Sequence, residues 1–440
     1  MTINEIYESV KEYIWQLERN KEKYLINPEK DFTRHRKISF SDCVMSLLCM
    51  SGGTLFSEVL EYFSDKTDLP SVSAYLQQRA KIKYSAFEQL FRSTVNLSDE
   101  NHLYHGYRLF AADGSDIQIP SNPMDEDTYY PGSNGQKPYN LIHLNAIYDI
   151  ITNTYQDVLI QGSRHCAEHE ALNHMVDCSC VNKALIIADR GYESYNVMAH
   201  IKEKGWKYLI RVKDIGGNGI VSRLDLPSSD EFDIDIDLNI TRKNSKKMMQ
   251  LFEDRNHYRY APPNSKLDFL PSRSSYKEDA VFYRLPFRVV RFKITENRYE
   301  TIVTNLDKYE FAPAELKRLY AMRWGIETSF RTLKYNIGVI YFHSWKKELV
   351  MQEVFARLAL FNITASIAGE PLKHISKKNY SYKVNVAKVI LICRKLFLDR
   401  ISPHYAQRLI STSVVPIRNE RSFKRKTKPR IAINFIYRIA

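Results

Sequence analysis

Three carboxylates in this chain sit in settings that suit a metal ligand. Asp113 lies in FAADGSD, Asp189 in IIADRGY, and Glu327 in YAMRWGIETSFRTLK, which spans residues 320–334. A hard divalent cation prefers oxygen donors, and a carboxylate supplies both the oxygen and neutralising charge. Two such ions close together activate a nucleophile and stabilise the leaving oxygen of an in-line displacement at phosphorus. Three acids in an otherwise basic chain therefore point to phosphoryl transfer on a polyanion. Each signal alone has a plainer reading. DG and DRG also mark turns, and Arg323 and Glu327, four residues apart, also make an ordinary surface ion pair.

The elements that must position these acids are readable from periodicity. YRLFAADGSDIQIP reads as a strand, and the Gly/Pro/Asp-rich stretch 122–138 as a loop. Strands follow over 139–150 and 154–161, a helix over 169–176, and a compact apolar strand over 183–188 that ends directly at Asp189. A helix over 195–204 and a strand over 206–212 complete the run. This order predicts a mixed α/β layer with helices covering a sheet. If the first and fourth strands lie side by side, Asp113 and Asp189 come together.

The stretch 214–300 breaks that rhythm. Gly216, Gly217 and Gly219 precede the alternating FDIDIDLNI and the basic TRKNSKK, and strand-like YRLPFRVVRFKI and RYETIVTNL follow. It reads as an all-β insertion. Pro313 suits the first turn of a helix, where its missing amide costs nothing, and that helix is expected to run to about Lys334. Tyr320, Arg323, Glu327, Arg331 and Lys334 then share one face. Trp324, Ile326, Phe330 and Leu333 give its packing side.

Residues 1–100 read as helices. Ile6, Val10, Tyr13, Ile14 and Leu17 recur at helical spacing. A second segment runs from about Asp42 to Phe63, capped by Ser39 or Ser41 and broken at Gly52 and Gly53. A third runs from Val72 to Phe91. Arg34, His35, Arg36 and Lys37 form a basic cluster suited to phosphates or to a solvated face. Residues 346–410 are again helical. The tail RNERSFKRKTKPR, from Arg418 to Arg430, reads as a phosphate-binding arm or a solubilising segment.

The 440 residues are 44% hydrophobic, enough for two or three domains. The formal net charge is +13 and the pI about 9.2, a field that favours a polyanionic partner. Six cysteines make no disulfide framework and fit a reducing compartment. The amphipathic, charged N-terminus has no signal-peptide core, and no apolar run approaches the ~18 residues of a membrane span. The expected location is the cytoplasm, in association with DNA. His165, Cys166, His169, His174, Cys178 and Cys180 cluster in sequence, yet their spacing matches no common zinc motif.

Tyr320, Arg323, Glu327 and Lys334 match the Y-x2-R-x3-E-x6-K signature, and the chain resembles the IS4-type insertion-sequence transposases that carry it. RWGIE, the following F-x2-L-K, TNL at 304–306, DRGY at 189–192 and ADGS at 112–115 resemble that family too. The likeness covers roughly 105–345, and the helical segment 33–95 resembles the family's N-terminal region more loosely.

The resemblance implies an RNase H-like core built on a mixed five-stranded sheet with flanking helices, interrupted by a β-rich insertion and preceded by a helical domain. The implied division is an N-terminal helical DNA-binding domain over 1–104 and core segments over 105–213 and 304–345. Around these lie the insertion over 214–303, a C-terminal helical region over 346–417 and a basic tail over 418–440. Asp113, Asp189 and Glu327 would be the catalytic residues and would bind two Mg²⁺ or Mn²⁺ ions. Tyr320, Arg323 and Lys334 would hold DNA, with Arg331, Arg34, Arg36 and Lys37 as further contacts. The implied partners are double-stranded DNA, as inverted-repeat ends and target, and a second copy in a synaptic dimer, with no membrane. The implied activity is metal-dependent cleavage and strand transfer of the cut-and-paste type. In hairpin-forming relatives the insertion supplies a stacking aromatic; this chain has no tryptophan between 214 and 300, and Tyr283 is the substitute considered. The alternatives are a nuclease of the same fold without strand transfer, and a catalytically silent, transposase-derived DNA-binding protein.

Overall fold

The computed structural model describes residues 1–34, 36–65, 69–97, 102–132, 135, 137–272, 279–296, 298–369 and 382–416. The basic tail and His35 lie outside the described residues.

A ten-stranded mixed sheet positions the acids. Its strands are β1 (Arg108–Ile119), β2 (Tyr129–Tyr130), β3 (Tyr139–Asp149), β4 (Thr154–Gly162), β5 (Ala184–Ala188), β6 (Lys207–Val212), β7 (Phe232–Thr241), β8 (Tyr258–Tyr260), β9 (Tyr283–Thr295) and β10 (Arg298–Thr304). The order is β2–β3–β1–β5–β6–β10–β9–β7–β8, with β4 also pairing with β3. β1 and β5 are parallel neighbours, with Ala112 opposite Ala188. The residues that follow this pair are therefore Asp113 on one strand and Asp189 on the other.

Strand alternation decides where those two acids point. Phe110, Ala112, Ile186 and Ala188 pack with Leu172 and Val176 of α6 (Glu168–Cys178) and Val197 of α7 (Tyr195–Glu203). Leu109, Leu185 and Ile187 face the other way, packing with Leu316 and Leu319 of α9 (Pro313–Met322). Ala111 faces that side too, in a cluster with Ile326 and Phe330 of α10 (Trp324–Arg331). Asp113 and Asp189 stand two residues after Ala111 and Ile187. They share the face covered by α9 and by α10, the helix that carries Glu327.

Five expectations are corrected. The sheet is not limited to five strands: β10 pairs antiparallel with β6 and β9 with β10, so the insertion strands extend the sheet that holds the acids. This pairing covers the β6 edge that a shorter sheet would leave with unpaired amides and carbonyls. The insertion is also not all-β. Lys246–Leu251 form a short helix, α8, whose N-cap Ser245 accepts a hydrogen bond from the Met248 amide.

The helix expected over 313–334 is broken at Arg323, where the chain tightens: the Arg323 amide donates to the Tyr320 carbonyl at 3.1 Å. Thr332–Ile337 then form a π-helical turn closed by Gly338 at φ 91°. Trp324 is 55% exposed and takes no part in the packing side. The segment expected as one helix over 72–91 is likewise two, α4 (Val72–Arg79) and α5 (Ser85–Thr94). Between them Lys81 and Lys83 pair their backbones with Ile26 and Tyr24, which ends the first helix.

The helices of the chain's two ends share one core. α1 (Ile3–Arg19), α2 (Phe40–Cys49), α3 (Leu55–Phe63), α4 and α5 pack with α11 (Lys347–Gly369), α12 (Val386–Phe397) and α13 (Pro403–Thr412). Ser39 rather than Ser41 caps α2, in a reciprocal box with Asp42. Val384 on β11 (Tyr382–Val384), which pairs with β12 (Val414–Pro416), joins this core. Fully buried Arg79 on α4 pairs with Glu353 on α11 at 3.0 Å. Among the described residues no helix is long and apolar enough to cross a membrane.

Candidate active site

Asp113 sits inside β1, opposite Ala146 of β3, so the turn reading does not hold for it. Its carboxylate accepts the Gly114 amide at 2.9 Å. Asp189 does cap a turn. It follows β5 and accepts the Gly191 amide at 2.7 Å, opening a short 3-10 turn over Arg190–Tyr192.

Arg323 joins the helix to the strand. One guanidinium nitrogen donates to Glu327 Oε1 at 2.7 Å and another lies 3.4 Å from Asp113 Oδ2. The Arg323–Glu327 pair exists, but it is no surface pair: Arg323 is only 6% exposed. Arg211 on β6 lies 4.0 Å from Asp189 Oδ2 and 3.4 Å from Glu300. Both Arg211 and Arg323 approach the Tyr320 ring, with the guanidinium centres 5.7 and 5.8 Å from its centroid. Cation–π attraction at such distances fixes both arginines beside the acids.

The electrostatics follow from crowding. Burial raises the Asp113 pKa to about 6, the nearby Asp189 and Glu327 charges add to the rise, and the Gly114 amide and Arg323 oppose it. Like charges held together disfavour ionisation of a neighbour. Burial lowers the Lys334 pKa, against an opposing pull from Asp116. The Lys334 ammonium donates to Ser115 Oγ and to the Asp116 carbonyl, both at 2.7 Å. Lys334 thus clamps the β1 segment just beyond Asp113.

The structure gathers Asp113, Asp189, Tyr320, Arg323, Glu327 and Lys334 in this way. Arg331, one turn from Glu327, is exposed. Arg34 and Arg36 are elsewhere: with Lys30, Phe32, Gln78 and Lys81 they line a pocket of about 220 Å³ in the helical body. Lys37 is exposed next to them. Tyr283 is engaged. Its ring stacks on Phe269 at 5.5 Å, Lys202 lies over it, and its hydroxyl donates to Glu203 at 2.9 Å.

Several residues beside the acids were not singled out in the sequence. Arg211 interrupts the otherwise apolar LIRV of β6, and that break in pattern is its only local signal. Tyr155 on β4 shares a hydrogen bond with Ser329 of α10 at 2.9 Å and so fixes the back of the Glu327 helix against the sheet. His143 on β3 and Glu168 at the start of α6 lie against Gly114. A methyl group in place of the Gly114 hydrogen would stand 2.3 Å from His143 Nε2 and 3.1 Å from Glu168 Oε1. The glycine of ADGS is therefore required by close approach. The six His and Cys residues of 165–180 do not converge: His169 bonds the Gly191 carbonyl, and His174 lies by Cys178.

Among solved structures the chain is similar to the piggyBac transposase synaptic complex with hairpin DNA, determined by cryo-electron microscopy. The sequence identity is 8% and the TM-score 0.43, over 97% of this chain and 87% of that one. No curated protein sequence matches. Residues 104–363, more than half of the chain and the whole region that carries the acids, match the family described as transposase DDE domain. The chain belongs to the DDE-domain transposases.

Proposed function

We propose that this transposase is of the IS4 type, with an RNase H-like core, and that it binds the ends of an insertion sequence and catalyses cut-and-paste cleavage and strand transfer. One observation carries the reading. Acids from three distant segments converge on one sheet face, and a single buried arginine spans two of them. Three carboxylates brought together, two of which add to the raised pKa of Asp113, form a donor set whose repulsion a hard cation relieves.

In this reading Asp113, Asp189 and Glu327 hold two Mg²⁺ or Mn²⁺ ions. When bound, such ions supply Lewis-acid activation of the attacking oxygen and charge stabilisation for the leaving oxygen. The chain's own residues do the positioning. Tyr320 packs against Arg323, Arg211 stands beside Asp189, and Arg323 orients Asp113 and Glu327 toward a common point. Lys334 holds the strand beyond Asp113, and its charge together with that of exposed Arg331 lies along the path a phosphate backbone would take. Arg34, Arg36 and Lys37 supply a second, separate DNA contact on the N-terminal helical domain. Its proposed extent is 1–104, beside core segments 105–213 and 304–345, the insertion 214–303, the helical region 346–417 and the tail 418–440. Joining two element ends requires a dimer on DNA, in association with DNA in the cytoplasm.

A strand-transfer assay with matched inverted-repeat ends in Mg²⁺ tests this. The expected result is cleavage and joined product for the wild type and neither for Glu327→Gln. Cleavage without joining would replace the reading with a nuclease. No cleavage by the wild type would replace it with a silent DNA-binding protein.

A further inference from the structure

Behind Gly114 lies a second group of ligand-type side chains, made of softer donors than the three acids. His143 Nε2, Cys166 Sγ and a carboxylate oxygen of Glu168 all lie within 4.8 Å of one another. His143 comes from β3, Glu168 from the first turn of α6, and Cys166 from the link between β4 and α6. We propose that these three side chains form a binding site for one soft divalent transition-metal ion, of the Zn²⁺ or Co²⁺ class, distinct from the hard-cation centre of Asp113, Asp189 and Glu327.

The imidazole carries the argument. Asp116 Oδ1 lies 2.7 Å from His143 Nδ1, which fixes the ring and leaves Nε2 aimed into the group. This carboxylate–histidine arrangement is how proteins orient a metal-ligating imidazole and raise its basicity. His143 is 7% exposed, and its Nε2 atom is buried without a hydrogen-bond partner. It lies 3.1 Å from Glu168 Oε1, an ion pair when the ring is protonated. In the neutral ring the same nitrogen turns a lone pair toward that carboxylate, an opposition that a bound cation relieves.

The donor set selects the ion. Thiolate plus imidazole plus carboxylate favours zinc-like ions over magnesium. Tetrahedral coordination at zinc-type bond lengths needs ligand–ligand edges of roughly 3.3–3.8 Å. His143 Nε2 and Glu168 Oε1, 3.1 Å apart, already stand close to such an edge, and partly exposed Cys166 sits on a link between elements where a side-chain rotation can adjust the Sγ position. On binding, Cys166 Sγ and His143 Nε2 each release a proton to solvent. Three protein ligands leave a fourth position for water.

The site is separate from the acids but lies against the segment that follows each of Asp113 and Asp189. The Glu168 carboxylate approaches the Cβ positions of Gly114 at 3.1 Å and Gly191 at 3.7 Å. Those glycines follow Asp113 and Asp189 by one and two residues.

Cobalt substitution tests the proposal. The full chain, in excess Mg²⁺ to occupy the hard centre, is titrated with Co²⁺ and the thiolate-to-cobalt charge-transfer absorption is read. The expected result is a single equivalent with that band, displaced by Zn²⁺ and absent in Cys166→Ser. Asp116→Asn is expected to weaken the affinity about 10- to 100-fold. Cys178→Ser, Cys180→Ser and Asp113→Asn should each leave the band intact, and this last variant separates failure of this site from failure of the hard-cation assignment. Circular dichroism melts confirm that each variant is folded. No band in the wild type, a band that persists in Cys166→Ser, or one lost in Cys178→Ser or Cys180→Ser would overturn the proposal.

Discussion

At the interface of α4 and α11, Arg79 and Arg357 flank Glu353 at 3.0 and 3.3 Å, and the His343 amide donates to the same carboxylate. Within β1 and at the end of β5, Arg323 reaches both Asp113 and Glu327, with Asp189 beside them. The residue types are the same and the balance is opposite. Glu353 is wholly buried; burial pushes its pKa up, yet Arg79, the His343 side chain and Arg357 together hold it down at about 2. Asp113 is more exposed and is nevertheless pushed up to about 6. One cluster has more cation and donor than acid, and the other has more acid than cation. The first joins two ends of a chain. The second is held together by its surroundings and suits a cation from outside.

Removing an acid should therefore have opposite consequences in the two places. Glu353→Ala leaves Arg79 and Arg357 buried without their counter-charge and should cost about 3–5 kcal/mol, read as a lower midpoint in urea. Asp113→Asn relieves repulsion and should leave stability within about 1 kcal/mol of wild type or raise it, as is common at sites shaped for function. If Asp113→Asn destabilised the chain as much as Glu353→Ala, the contrast would be lost.

Gly114→Ala probes the packing behind the acids. Its new methyl would meet His143 Nε2 at 2.3 Å, so the imidazole or β1 must move. The expected cost is about 1–3 kcal/mol, with a loss of DNA cleavage larger than that stability change alone explains. An unchanged melting temperature with full activity would show that the His143 position is not fixed.

The smallest effect is in pH. The Asp113 pKa is raised from 3.8 to about 6, so the folded chain binds that proton before the unfolded chain does. Its contribution to stability improves as pH falls through about 6 and is complete near 4. Glu353 is held from 4.5 down to about 2, so its contribution is present above 4.5 and is lost as pH falls toward 2. In chelator, the melting-temperature advantage of Asp113→Asn over wild type should be largest at about pH 7 and should vanish toward pH 4. A constant difference would contradict the crowding account.

Much of this arrangement was legible from local pattern. The apolar run ending at Asp189, the strand through Asp113 and the three- and four-residue spacing around Glu327 each follow from side-chain periodicity. Their meeting follows from β1 and β5 pairing in parallel. The rest depends on contacts distant in sequence. Nothing local to β10 says that it pairs with β6. The break at Arg323 and the π turn at Thr332–Ile337 arise where the helix must satisfy Asp113, Ser115 and the Asp116 carbonyl together. His143 acquires its meaning only from Asp116, its partner across the β1–β3 ladder. Trp324 looked like core because of its type, yet its position on α10 faces solvent. The shared core of the two terminal helical stretches rests on Arg79 and Glu353, 274 residues apart.

The most direct measurement is cleavage of labelled element-end DNA by wild type, Asp113→Asn, Asp189→Asn and Glu327→Gln, each verified as folded, with Mg²⁺ and with Mn²⁺. The account predicts cleavage by the wild type that requires the ion, and a loss on the order of 10³-fold or more in each variant, as removal of several kcal/mol of transition-state stabilisation demands. Cleavage that persists in chelator, or a Glu327→Gln enzyme as active as the wild type, would contradict it.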